Sequence, residues 1–130
     1  MSMNAELLHD VFRATYEEQG WRALMSAIHW AVETQGDLPE NLRPAVDEAI
    51  SIWRSDAPDL ERLTAIKVAI WEALEAKNGD SITIEDAVDR TLRACLCLVE
   101  VEGENDIGDL MGWAAEMLSS QPWPRMMRFF

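Results

Sequence analysis

Cysteine, histidine and tyrosine are scarce in this chain of 130 residues (two, two and one), and there are only six glycines and five prolines. Two cysteines cannot build the multi-bridge framework that staples a small secreted domain. So few glycines and prolines exclude a collagen-like or low-complexity chain. Every apolar run falls far short of the ~18 residues that cross a bilayer. The first residues lack the basic and apolar regions of a secretory leader and carry Glu6 and Asp10 early. Bases are also in short supply. Eleven Lys plus Arg face 24 Asp plus Glu, for a net charge of −13. A field of that sign repels phosphate backbones and anionic lipid heads, so neither nucleic acid nor a membrane surface is an expected partner. It favours encounter with a cationic protein.

What is present is apolar material, 48% of the residues with six tryptophans. That is enough to order one domain of this length, and it argues against disorder. The expectation is a cytoplasmic protein with a single helical domain over 1–130. Cys95 and Cys97 would point about 200° apart on a helix, which denies them both a disulfide and a shared metal. They read as reduced thiols in or near the core.

Nearly every segment repeats its apolar residues with the 3.6-residue period of a helix. A first helix fits 4–18, with Leu8, Val11, Phe12 and Thr15 on one face and Asn4 as cap. Gly20 breaks it. A second runs from Trp21 to Thr34, with Leu24, Met25, Ile28 and Val32 inward, and stops at Gly36. Pro44 suits the first turn of a third, lined by Val46, Ala49, Ile50 and Trp53. A fourth covers about 57–77, capped from Asp56-Ala57-Pro58, with Leu60, Leu63, Ile66, Ile70, Trp71 and Leu74 inward. Thr83 and Asp86 resemble a capping box that opens a fifth helix, which is apolar nearly all round at Leu96-Cys97-Leu98 and so is placed centrally. This helix fades near Glu102-Gly103. A sixth starts near Asn105 or Asp106 and ends by Ser120, with Ile107, Leu110, Met111, Ala114 and Leu118 inward. Gly108 and Gly112 lie four apart on it, a spacing that admits close approach of another helix. The fold class is therefore an all-α, single-domain bundle of about six helices with an apolar C-terminal tail.

Groups for catalysis are thin. His9 and His29 are the only imidazoles, no helix carries His-x-x-x-His, and Glu6-Leu7-Leu8-His9 is a single Glu-x-x-His where a di-iron centre takes one from each of two helices, so no zinc or di-iron motif is expected. No glycine-rich phosphate loop follows a strand. Neither cysteine has a basic neighbourhood that would activate it. The run from Glu100 to Asp109 has oxygen ligands at alternate positions. A calcium loop starting at Glu102 would need glycine and glutamate where Ile107 and Trp113 stand. The expectation is a protein without enzymatic activity, cofactor or metal.

Two features remain for binding. From Glu100 to Glu116 there are six acids and no base, and Trp113 lies among them. Glu100, Glu102, Glu104, Asp106, Asp109 and Trp113 thus form a candidate partner-binding edge, with carboxylates steering a basic surface and an indole anchoring it. A further acidic group (Asp80, Glu85, Asp86, Asp89) surrounds the start of the fifth helix, where negative charge also suits the helix dipole. The tail 121–130 holds Trp123, Met126, Met127, Phe129 and Phe130, a patch that asks for cover from the bundle or from a partner subunit. Self-association through that tail, giving a homodimer with a structural or regulatory role, is the alternative reading.

The segments Gly20-Trp21-Arg22-Ala23-Leu24, Ala69-Ile70-Trp71-Glu72-Ala73-Leu74 and Ile84-Glu85-Asp86-Ala87-Val88-Asp89-Arg90 give the chain, over about 20–100, a family likeness. It resembles the all-helical immunity proteins of bacterial polymorphic and contact-dependent toxin systems. The resemblance implies a binding module that occludes a cognate toxin domain, often a basic nuclease, by presenting acidic and aromatic groups. It brings no catalytic motif and leaves the first helix and the tail unaccounted for.

Overall fold

The computed structural model describes residues 4–78, 86–100 and 106–119, with no side-chain description at 77 and 78. They form six α-helices and no strand: α1 Ala5–Gln19, α2 Trp21–Gln35, α3 Arg43–Arg54, α4 Leu60–Asn78, α5 Ala87–Cys95, continued by a 3₁₀ turn over Leu96–Val99, and α6 Ile107–Met117.

Caps set most of the boundaries. The Asn4 side chain accepts the Leu7 amide at 2.8 Å and opens α1. Gly20 alone joins α1 to α2 at φ +89°, a conformation that side chains resist, while a Cβ there would meet nothing within 4 Å. The turn is glycine's for backbone reasons only. Asp59, rather than Asp56, opens α4, because its carboxylate accepts the Arg62 amide at 3.1 Å. That shifts the expected start from 57 to Leu60. Asp86 is itself the cap of α5, accepting from the Val88 and Asp89 amides. The expected box had given this residue the third helical position. Thr83 lies outside the described residues.

The buried side chains of α1 (Leu8, Phe12), α2 (Leu24, Met25, Ile28, Val32), α3 (Val46, Ile50, Trp53) and α4 (Leu63, Ile66, Ile70, Leu74) meet those of α5 and α6 in one core. Helix α1 packs on α2 and α6, and α5 with its 3₁₀ extension touches α2, α3, α4 and α6, which gives it the expected central place. It does not continue as an α-helix to Glu102, however. After Cys95 the backbone tightens, and Cys97, Leu98 and Val99 are all buried. A 3₁₀ turn advances 120° per residue, so three successive apolar side chains face different neighbours in one short element. The Leu98 carbonyl accepts the indole N–H of Trp53 at 2.6 Å, which ties α3 to this turn. Trp53 also meets Trp21 edge to face, with centroids 6.1 Å apart.

One expectation about packing fails. Leu60 and Trp71, read as core, are 50% and 41% exposed. Trp71 is one residue, or about 100°, beyond Ile70, whereas Leu60 lies at the edge of the stripe of Leu63, Ile66, Ile70 and Leu74 but is the first residue of the helix. Among the described residues, no helix approaches the glycines of α6 closely. A Cβ at Gly112 would meet nothing within 4 Å, and one at Gly108 only the Asp106 carboxylate, 3.1 Å away. Among the described residues, no helix is long and apolar enough to cross a membrane.

Candidate functional site

Helix α4 exposes three apolar side chains on a side that it shares with Thr64 and Glu75. Leu60, Val68 and Trp71 fall within about 80° of one another on the helical wheel, and Val68 is 49% exposed. Of these, Trp71 lines an open groove of about 390 Å³. Trp71 supplies one wall, Arg93 of α5 with Leu96 and Cys97 of the 3₁₀ turn forms the floor, and Asp109, Leu110 and Trp113 of α6 close the far side beside Glu100. The volume lies in the range of pockets that accept a large side chain or small ligand.

Three members of the candidate edge, Glu100, Asp109 and Trp113, therefore meet around one groove. Asp106 is exposed and is used as the cap of α6, accepting the Asp109 amide at 3.0 Å. Glu102, Glu104 and the tail residues Trp123, Met126, Met127, Phe129 and Phe130 lie outside the described residues, as do Asp80 and Glu85. Of the second acidic group, Asp86 caps a helix and Asp89 is fully buried, so neither is a free surface charge.

The electrostatics of the groove are more balanced than the acid run suggests. Lys67, one turn before Trp71 on α4, places its ammonium 3.2 Å from Glu100. Arg93 lines the groove, and its buried Nε has no hydrogen-bond partner among the described residues. The groove and its margin thus carry two carboxylates, Glu100 and Asp109, and two cations, Lys67 and Arg93. What the sequence hid was Trp71 and these bases, since 3.6-residue counting assigned Trp71 inward and could not bring Lys67 to Glu100. Cys97 lines the same groove, but burial pushes its thiol up to about 12, with Glu100 adding to the effect. Burial raises Cys95 as well. Both shifts disfavour the thiolate, the nucleophilic form.

A separate convergence joins α2 to α3. His29 Nε2 lies 3.2 Å from Asp47 Oδ1 and 3.6 Å from Glu33 Oε1. The other Glu33 oxygen is gripped by Arg43, which also reaches Glu40 at 3.5 Å. Glu33 holds the Arg43 guanidinium in its charged form, raising it above the ordinary arginine value. Spacing rules overlooked this group because Asp47 comes from another helix. Comparison of the chain with family models, with curated proteins and with solved structures finds no match.

Proposed function

We propose that this chain is a protein-binding module of the immunity type, which occludes a cationic protein partner, such as a toxin domain, by seating it on the Trp71–Trp113 groove. The observation that carries the reading is that two tryptophans from distant segments, Trp71 and Trp113, line one open groove together with Glu100 and Asp109. Exposed apolar surface of this kind is costly for a monomer and typical of interface cores. The net charge of −13 supports steering of a basic partner over long range. Specific grip then falls to the indoles. Nothing in this mechanism requires bond-making by the chain.

The test is co-expression with the products of flanking reading frames. One of them is expected to be toxic alone and tolerated beside this chain. In purified form, Trp113→Ala should weaken that pair by about 2 kcal/mol or more, roughly thirty-fold in Kd. Glu100→Gln with Asp109→Asn should flatten the salt dependence of association. A rescue that survives all three substitutions, or no toxic neighbour at all, overturns the proposal.

A further inference from the structure

We propose that His29, Glu33 and Asp47 form a binding site for a zinc-class divalent cation that clamps α2 to α3. One imidazole nitrogen and two carboxylate oxygens lie within 4.8 Å of one another. A tetrahedral zinc ion with bonds of 2.0–2.1 Å sets its ligands about 3.3 Å apart. The His29–Asp47 and His29–Glu33 separations, 3.2 and 3.6 Å, already match two edges of that polyhedron.

The supporting geometry is also favourable. His29 and Glu33 are one helical turn apart on α2 and so share a face. Asp47 opposes them from α3, and both helices belong to the packed core, so the ligands stand on rigid elements. Glu33 divides its two oxygens, with Oε1 toward His29 and Oε2 toward Arg43. Arg43 thus fixes the carboxylate in place through the oxygen that the ion does not need, the arrangement that commonly orients metal-ligating carboxylates. Asp47 is about half exposed, which leaves water access to a fourth position. The donor set of one imidazole and two carboxylates suits zinc, whereas calcium requires six to eight oxygens. The site lies on residues outside the Trp71–Trp113 groove, so it stands or falls independently of the partner proposal.

The experiment is thermal unfolding of the metal-free full chain, followed by circular dichroism, with Zn²⁺ or Ca²⁺ added. Saturating zinc is expected to raise Tm by about 8 °C or more, as ligand binding to the folded state requires, with calcium moving it by about 1 °C or less. The His29 ring signal should shift in long-range nitrogen spectra while that of His9 stays in place. Asp47→Asn, a change at an exposed position, and His29→Gln should each abolish the zinc effect. If His29→Gln fails to fold, Asp47→Asn decides alone. No rise with zinc, or a rise that Asp47→Asn leaves intact, overturns the site and marks the effect as adsorption to an acidic surface.

Discussion

Replacing Trp53 with phenylalanine tests the link between the core and the groove. Trp53 is 5% exposed, and its Nε1–H donates to the carbonyl of Leu98, itself 1% exposed. Phenylalanine keeps an aromatic ring near Trp21 but removes the donor. A buried carbonyl left without that partner costs about 1–3 kcal/mol. The lost pyrrole ring leaves a cavity of roughly 40 Å³, worth about 1 kcal/mol at ~24 cal/mol per Å³. The expected loss is about 2–4 kcal/mol, which for a chain of this size lowers Tm by about 7–15 °C. Urea unfolding followed by far-ultraviolet circular dichroism measures it without relying on tryptophan emission. Trp30→Phe, at a residue 45% exposed, is the control and should stay within about 0.5 kcal/mol. A loss at Trp53 below about 1 kcal/mol, or equal to the control, would refute the bond to Leu98. It would also remove the reason given for the position of the turn that carries Leu96 and Cys97 into the groove.

Gly112→Ala should stabilise the chain by about 0.5–1 kcal/mol, since α6 gains helix propensity and the methyl meets open space. Gly36→Ala should destabilise it by about 1–3 kcal/mol, because its Cβ falls 2.7 Å from the Val32 carbonyl oxygen and 2.9 Å from Thr91 Cγ2. The same clash disturbs Thr91 Oγ1, which accepts the Asp37 amide at 2.7 Å. Urea midpoints that move in the same direction for the two variants would contradict this account. Iodoacetamide at pH 8 should leave Cys95 and Cys97 unmodified in the folded chain and label both once urea unfolds it; comparable native labelling would contradict their burial.

The helical class and most helix ends were legible in the sequence because they depend on local rules. Asn4, Gly20, Gly36 and Pro44 act within one turn of themselves, and Leu8, Leu24, Ile28, Val46, Ile50 and Ile70 keep a strict period. Periodicity counts apolar residues without knowing how wide the covered face is, and so it drew Leu60 and Trp71 into the core. Gly108 and Gly112 leave room for a neighbouring helix, and among the described residues none uses it. For the site, the acid run and Trp113 were visible as a cluster in sequence. Trp71, Lys67 and Arg93 join them only through the packing of α4 and α5 against α6. The pairing of His29 with Asp47 depends on the α2–α3 interface, which no spacing rule reaches.

The walls of the groove come from positions 71, 93–100 and 109–113, three stretches that meet only in the assembled bundle. Synthetic fragments of the chain, tiled one after another across a membrane or bead array, would therefore each present a single wall and capture nothing. Antibodies raised against denatured protein would miss this face as well, whereas those raised against the native fold would treat it as one continuous epitope.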